Sequence, residues 1–216
     1  MTDAKICGLT TPEAIAAAAR SGAGYIGFVF FPRSPRNISP ARAATLARHV
    51  PAHIKKVGVF VDADDDFIAD VLQHVDLDIL QLHGTETPAR VTEIKTRFHK
   101  PVMKAIAISG SDDIATISRY DNISDYLLFD AKAPKTMENA LPGGNGLIFD
   151  WTLLANKKWQ SPWMLSGGLD AENVRTAINI SKADIVDVSS GVESTPGVKD
   201  LHKISTFLDQ VIASDQ

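Results

Sequence analysis

The chain has 216 residues, of which 44% are hydrophobic and 22% are charged, as is typical of a globular protein. At this size about 70% of the chain's surface is expected to be buried on folding. The formal net charge of −4 is too small to indicate a nucleic-acid or membrane partner. One cysteine excludes an intrachain disulfide. The chain has no signal-peptide pattern and no apolar run of about 18 residues, so we expect a cytoplasmic protein.

Short apolar segments alternate with amphipathic segments along the whole chain. Eight of the apolar segments, several rich in Val, Ile and Phe, lack polar alternation and therefore predict parallel strands that are buried on both faces. These predicted strands are Lys5–Cys7, Tyr25–Phe30, Lys56–Phe60, Ile79–Leu82, Val102–Ala107, Tyr126–Asp130, Trp163–Ser166 and Asp184–Val188.

The intervening segments predict helices. Two begin with a capping hydroxyl before a proline, at Thr11-Pro12 and Ser39-Pro40. The acidic run Asp64–Asp66 suits a third helix start, because negative charge is favourable there. The weakest helical pattern runs from Ser109 to Tyr120. Apolar residues repeat at helical spacing in two segments: Phe67, Ile68, Val71, Leu72 and Val75, and Val198, Leu201, Ile204, Leu208 and Ile212.

Eight βα units in about 200 residues, with no linker between them, predict a single domain over residues 1–216 with the α/β fold of a (β/α)₈ barrel. An open doubly wound sheet is the alternative, because strand counting does not separate the two folds. In a barrel the active site lies at the carboxyl ends of the strands, so the residues that end each strand become candidates.

Glycine-rich loops follow the last two predicted strands. Ser166-Gly167-Gly168 ends the seventh, and Ser189-Ser190-Gly191 ends the eighth. Glycine lets the backbone approach an anion closely, and loops after strands seven and eight commonly bind phosphate in barrels. We therefore expect a phosphate site there, although tight turns alone would also explain the glycines.

Cys7 and Asp130 end the first and sixth predicted strands. A thiol with a pKa of about 8.5 can act as a base once neighbouring positive charge favours its ionised form. A carboxyl group that closes an apolar strand holds its proton more readily and can act as an acid. The alternatives are a small buried thiol for Cys7 and a carboxylate that caps a nearby amide for Asp130.

Three further features lie at the same predicted edge of the sheet. Arg36, in a loop with two prolines, could bind a carboxylate through two parallel hydrogen bonds. His83, after the fourth strand, is either a pocket residue or a histidine satisfied beneath a loop. The cluster Pro142–Gly146 is either a loop that closes over a ligand or a surface turn. The histidines and acidic residues show no metal-ligand spacing, and no nucleotide fingerprint is present.

An ordered set of motifs spanning nearly the whole chain resembles the phosphoribosylanthranilate isomerase family. The matching segments are Lys5–Leu9, Gly27–Phe30 with Ser34–Arg36, Val57–Phe60, Gln81–Gly84, Gly144–Gly146 with Phe149–Trp151, Ser166–Leu169 with Asn173-Val174, and Asp187–Glu193. Each segment alone is weak evidence, but the set in this order is specific.

The resemblance implies an Amadori rearrangement of N-(5'-phosphoribosyl)anthranilate in tryptophan biosynthesis, without metal or organic cofactor. It implies that Cys7 is the general base, that Asp130 is the general acid and that Arg36 binds the anthranilate carboxylate. It also places His83 and Asp187 near the substrate. The phosphate-binding residues would be Gly144, Gly167, Gly168, Ser190 and Gly191. The family commonly has Ser or Thr where this chain has Asn145, so we expect altered loop closure or affinity.

The expected partner is a small phosphorylated substrate, with no nucleic acid and no membrane. A monomer and a homodimer are both left open, as is association with neighbouring pathway enzymes. The related histidine-pathway isomerase is a rival, but it would carry an aspartate in place of Cys7. Indole-glycerol-phosphate synthase would need lysines on inner strands, for which Lys56 and Lys104 are candidates. A non-catalytic sensor of a phosphorylated metabolite could dispense with Cys7 and Asp130.

Overall fold

The computed structural model describes residues 2–134, 136–137, 140–155 and 157–214. Eight strands pair in sequence order, all of them parallel, and the last pairs with the first to close a barrel. This closure confirms the barrel and excludes the open doubly wound sheet. The strands are β1 (Asp3–Cys7), β2 (Tyr25–Phe30), β3 (Lys55–Phe60), β4 (Ile79–Leu82), β5 (Val102–Ile108), β6 (Tyr126–Ala131), β7 (Trp163–Leu165) and β8 (Ile185–Val188).

Seven α-helices surround the barrel in the described ranges: α1 (Pro12–Arg20), α2 (Pro40–Ala47), α3 (Asp65–His74), α4 (Pro88–Phe98), α5 (Ser111–Ile117), α6 (Val174–Ser181) and α7 (Leu201–Ala213). The three predicted helix starts are confirmed, because the side chains of Thr11, Ser39 and Asp64 each accept a backbone N–H of the first turn. The weakly patterned α5 forms without a side-chain cap. No described helix is long and apolar enough to cross a membrane.

Two connections differ from the regular βα pattern. Between β6 and β7, the described residues contain a 3₁₀ helix at Trp151–Leu153 in place of an α-helix. After β8, a 3₁₀ helix at Ser190–Val192 leads into a small antiparallel hairpin of β9 (Glu193–Thr195) and β10 (Val198–Lys199). Placing Val198 in the last helix was wrong, because this hairpin turns at Gly197 and the helix begins only after Asp200. Leu201 and Ile212 are also exposed rather than buried.

Side chains fill the barrel interior in layers, because successive residues of a strand point to opposite faces. The lower layer is apolar and consists of Tyr25, Val57, Ile79, Met103, Ala105, Leu128, Met164 and Ile185. Near the carboxyl ends of the strands, Cys7 packs with Val29 and Val59. Lys5 and Asp187 are polar residues of the interior and are almost fully buried. The barrel therefore has an apolar floor beneath a charged upper half.

Candidate active site

A cavity opens at the carboxyl ends of the strands, where the active sites of (β/α)₈ barrels lie. The cavity brings together nine of the ten residues predicted from the sequence to form the site: Cys7, Arg36, His83, Asp130, Gly144, Gly167, Gly168, Asp187 and Ser190. Gly191 is not among the lining residues. A Cβ at Gly191 would collide with the Leu169 carbonyl oxygen, so this glycine allows two loops to pack together.

Cys7 ends β1 at the wall of the cavity and is 7% exposed. Its partner on β2 is Gly27, where a Cβ would lie 2.8 Å from the Cys7 sulfur. The absence of a side chain at Gly27 therefore makes the space that the sulfur occupies. Burial raises the pKa of the Cys7 thiol, while the nearby ammonium groups of Lys5 and Lys199 act in the opposite direction.

A buried ion pair lies directly below Cys7. Lys5 Nζ is 2.8 Å from Asp187 Oδ1, and the Lys5 side chain is completely inaccessible to solvent. The second carboxylate oxygen of Asp187 accepts a hydrogen bond from Ser166 Oγ at 3.0 Å. Burial disfavours the charged form of Lys5, but Asp187 and Cys7 outweigh this effect and raise the pKa of Lys5 above its ordinary value. Lys5 is therefore a cation inside the barrel.

On the other side of the cavity, Asp130 is the penultimate residue of β6 and is 4% exposed. Its Oδ1 accepts the backbone N–H of Ala131 at 2.8 Å, and its Oδ2 lies 3.1 Å from His83 Nε2. Gln81 Nε2 lies 2.8 Å from His83 Nδ1. Gln81 and Asp130 therefore contact the two ring nitrogens of His83 and fix the orientation of the ring. His83 is thus both a pocket residue and a hydrogen-bonded one.

Arg36 is buried and already holds one carboxylate. Its Nε and one terminal nitrogen donate to the two oxygens of Glu193 at 2.7 and 2.9 Å. Lys199 Nζ donates to the same carboxylate at 2.8 Å. Burial raises the pKa of Glu193, but the hydrogen bonds from Arg36 and Lys199 outweigh it and leave that pKa below the ordinary value. Burial lowers the pKa of Lys199.

The glycine cluster after β6 lies across the mouth of the cavity. A Cβ at Gly143 would lie 2.6 Å from His83 Nε2 and 2.7 Å from Asp130 Oδ2. The Gly144 carbonyl accepts a 3.4 Å hydrogen bond from Arg36. Asn145 ties the loop together, because its side-chain amide both accepts from and donates to the backbone of Leu141, at 3.1 and 2.7 Å. The loop therefore covers the ligand site and is not a remote surface turn.

The loops after β7 and β8 form the remaining wall. Gly167 and Gly168 have φ values of +93° and +60°, a region that side chains rarely adopt. The side chain of Asn173 fixes this turn by donating to the Gly168 carbonyl at 2.9 Å. Across from it, Ser190 begins a 3₁₀ helix. The first N–H groups of any helix lack partners within it, so this end of the barrel presents donors suited to an anion.

Four polar residues in or next to the site escaped prediction: Lys5, Gln81, Glu193 and Lys199. A usable signal existed for one of them. Lys5 interrupts an apolar strand two residues before Cys7, and Asp187 interrupts the strand that would close a barrel beside it. Opposite charges at these two places predict a buried pair. Glu193 and Lys199 gave no comparable signal, because their hairpin has no clear sequence pattern.

The two lysines that a synthase mechanism would use lie elsewhere. Lys56 pairs with Asp78 at 3.0 Å, and Lys104 pairs with Glu86 at 2.8 Å. Neither residue lines the cavity. Among the described residues, no group of three His, Cys, Asp or Glu side chains is arranged to hold a metal ion.

Comparisons with known proteins agree on one family. The family model described as N-(5'-phosphoribosyl)anthranilate (PRA) isomerase matches residues 4–210. A relative from Paracoccus denitrificans, named N-(5'-phosphoribosyl)anthranilate isomerase, is 53% identical over 209 residues, 97% of this chain and 96% of the relative.

Solved structures give the same result. The phosphoribosyl anthranilate isomerase of Thermotoga maritima superposes with a TM-score of 0.88 at 37% identity, over 99% of this chain and all of that one. A second such isomerase was solved in complex with reduced 1-(o-carboxyphenylamino)-1-deoxyribulose 5-phosphate. It superposes with a TM-score of 0.82 at 34% identity, over 99% of this chain and all of that one.

Proposed function

The chain belongs to the N-(5'-phosphoribosyl)anthranilate isomerase family, and we propose that it catalyses this isomerisation with Cys7 as general base and Asp130 as general acid. It is an isomerase of tryptophan biosynthesis that acts on a small phosphorylated molecule. One observation carries the assignment of roles. A single cavity contains a thiol beside ammonium groups, a buried carboxyl group, an arginine and two glycine-rich loops.

The proposed reaction begins with ring opening. Asp130 donates a proton to the furanose ring oxygen while the nitrogen lone pair of the substrate forms a C=N bond and the C–O bond breaks. The resulting iminium ion makes the hydrogen on the second sugar carbon acidic. The Cys7 thiolate removes that proton, and the electron pair of the C–H bond forms an enolamine.

The last step converts the enolamine to the ketone. The Cys7 thiol gives its proton to the first sugar carbon, and the Asp130 carboxylate takes the proton of the hydroxyl on the second carbon, so both groups return to their starting protonation states. The nitrogen of the substrate donates its lone pair in ring opening and, as the iminium, accepts electron density when the C–H proton is removed. The proposed chemistry therefore needs neither a redox cofactor nor a metal ion.

Arg36 is proposed to bind the anthranilate carboxylate. Glu193 holds the Nε side of the guanidinium, which fixes the plane of the group and leaves its other edge for a second carboxylate. The Gly144 carbonyl lies against this edge at 3.4 Å. Binding of the substrate carboxylate is therefore expected to displace Gly144 and to couple the ligand to the loop.

The phosphate group is proposed to lie between Gly167-Gly168 and Ser190-Gly191, with Gly144 closing over it. Backbone N–H groups and the Ser190 hydroxyl would supply the hydrogen bonds. We also propose that His83 orients Asp130 by donating from Nε2, and that Asp187 contacts the sugar from the upper barrel.

Turnover measurements test the acid–base pair. Freshly generated phosphoribosylanthranilate is converted in buffer that contains a chelator, and loss of anthranilate-type fluorescence follows the reaction. We expect Cys7→Ala and Asp130→Asn each to lower kcat by roughly 100-fold or more while the reduced product analogue still binds. Asp76→Asn, an exposed carboxylate far from the cavity, serves as the control. Near-normal turnover in either site variant would remove that residue from its role.

Three properties of the whole protein are also proposed. Residues 1–216 form one catalytic domain, which predicts a single cooperative unfolding transition. The enzyme acts in the cytoplasm, where phosphorylated intermediates are retained; cell fractionation tests this location. It acts as a monomer or a homodimer, and sedimentation distinguishes the two forms.

A further inference from the structure

Lys5 has no part in the chemistry described so far, yet its position is unusual. A lysine inside a barrel is costly to bury unless its charge is matched. Lys5 lies two residues before Cys7 on β1, so both side chains point to the same face of that strand. On β8, Asp187 is in register with Lys5, and the two form the 2.8 Å ion pair.

We propose that Lys5 is the positioning residue for the base: its ammonium is shared between the Asp187 carboxylate and the Cys7 sulfur and stabilises the thiolate. This inference rests on the proposed role of Cys7. An ammonium has three donors, and Asp187 Oδ1 occupies one of them. Lys5 is fully buried on the same strand face as Cys7, and its positive charge favours the ionised form of the thiol.

Asp187 accepts a hydrogen bond from Lys5 with only one of its two carboxylate oxygens. Its second oxygen accepts from Ser166 Oγ at 3.0 Å, so a single carboxylate oxygen faces the ammonium. Other N–H donors of the Lys5 ammonium therefore remain available to the Cys7 sulfur above it. The side of Cys7 that faces β2 meets Gly27 and Val29, neither of which carries a charge.

The charges around Cys7 also favour its ionisation. On this side of the cavity, the described residues include three cations and two carboxylates. The cations are Lys5 on β1, Lys199 on β10 and Arg36 in the loop after β2, and the carboxylates are Asp187 on β8 and Glu193 on β9. This group has one excess positive charge, which a thiolate would neutralise.

Two further titratable groups, Asp130 and His83, bind each other on the opposite wall. Burial raises the pKa of Cys7. Among the neighbouring groups, Lys5 lowers this pKa the most.

The experiment is a pH titration of the ultraviolet absorbance of the thiolate in the whole enzyme. Cys7 is the single cysteine of the chain, so Cys7→Ser supplies the baseline for all other chromophores. We expect Lys5→Met to raise the pKa of Cys7 by about 1 or more, because the thiolate then lacks the ammonium group that stabilises it. We expect Asp187→Asn to lower it, because the competing carboxylate is gone.

A second variant addresses folding. Lys5→Met alone leaves the Asp187 carboxylate buried without its ion-pair partner, which is strongly destabilising in comparable cases. The double variant Lys5→Met with Asp187→Asn removes both charges and relieves that penalty. It is still expected to raise the pKa of Cys7, because Lys5 affects this thiol more strongly than Asp187 does. An unshifted titration in the double variant would overturn the inference.

Kinetics link the titration to turnover. If Cys7 acts as the base, the acid limb of the kcat profile should move to higher pH in Lys5→Met, in step with the thiol titration and with little change in KM. A titration that shifts while Cys7→Ala keeps its turnover would preserve the Lys5–Cys7 coupling and reject the base role. A fold-supporting role for Lys5 would change thermal stability without moving the titration.

Discussion

At the scale of single residues, Gly27 determines where the Cys7 sulfur can lie. A methyl group at this position would lie 2.8 Å from the sulfur and 3.2 Å from the Cys7 Cα, so one of the two strands would have to shift. The effect of Gly27 on the position of the sulfur is purely steric. It is separate from the electrostatic effects of the neighbouring lysines.

We therefore expect Gly27→Ala to lower kcat by roughly 10-fold or more and to cost about 1–3 kcal/mol of stability through overpacking. Steady-state kinetics and thermal unfolding measure the two effects. Gly110→Ala is the matched control, because nothing lies within 4 Å of a Cβ at that glycine. Equal behaviour of the two variants would refute the steric argument.

Arg36 and Arg33 lie in one loop but in different environments, since Arg36 is buried and Arg33 is exposed. We expect Arg36→Ala to raise KM by roughly 10- to 100-fold, because a hydrogen bond between charged groups contributes about 1.5–3 kcal/mol to binding. Arg33→Ala should leave KM unchanged. Unchanged affinity in Arg36→Ala would exclude it as the carboxylate anchor.

At the scale of elements, the loop across the cavity depends on Asn145. Its amide makes two hydrogen bonds to the Leu141 backbone, and a serine hydroxyl is too short to reproduce both. This contact gives a physical reason for an asparagine at this position. Asn145 supports the loop and need not contact the ligand.

Asn145→Ser should loosen the loop and raise KM by roughly 2- to 10-fold, corresponding to about 0.5–1.5 kcal/mol for a lost hydrogen bond. Product release should not become slower, so kcat should stay the same or rise. Parallel measurements of KM and of proteolysis within residues 141–148 would check both effects. Lower KM and unchanged proteolysis would show that the side chain acts in another way.

Elements with a strong local pattern could be predicted from the sequence. The bounds of β2 and β4 agree with the prediction, and the other barrel strands differ by one or two residues at an end. The hairpin of β9 and β10 was missed because its strands have three and two residues, too few for a periodic pattern. The contact between Glu193 and Arg36 could not be predicted either, because it depends on this hairpin and joins residues 157 positions apart.

At the scale of the whole molecule, the loops after β7 and β8, which we propose bind phosphate, should couple ligand binding to global stability. Any ligand that binds the folded state alone stabilises it according to its concentration over Kd. Inorganic phosphate should therefore raise the Tm of the enzyme more than a chloride salt of equal ionic strength. Since these loops join β7 and β8 to the rest of the barrel, the effect should extend to the entire cooperative unit.

Ser190→Asp is the variant that tests this coupling. A carboxylate at the start of the 3₁₀ helix is compatible with the helix but repels an anion. We expect the variant to keep its Tm in chloride and to lose the increase in phosphate. An undiminished phosphate effect would place the anion site elsewhere.

The pairing of Lys5 with Asp187 also joins the first strand of the barrel to the last, so the environment of the thiol is complete only when this seam has closed. In the closed barrel Cys7 is 7% exposed, and we expect the thiol to be more accessible before β1 and β8 pair. The accessibility of the Cys7 thiol therefore reports on closure of the barrel during folding. During refolding, the rate at which the thiol becomes protected from a chromogenic disulfide should measure when residues 182 positions apart first meet.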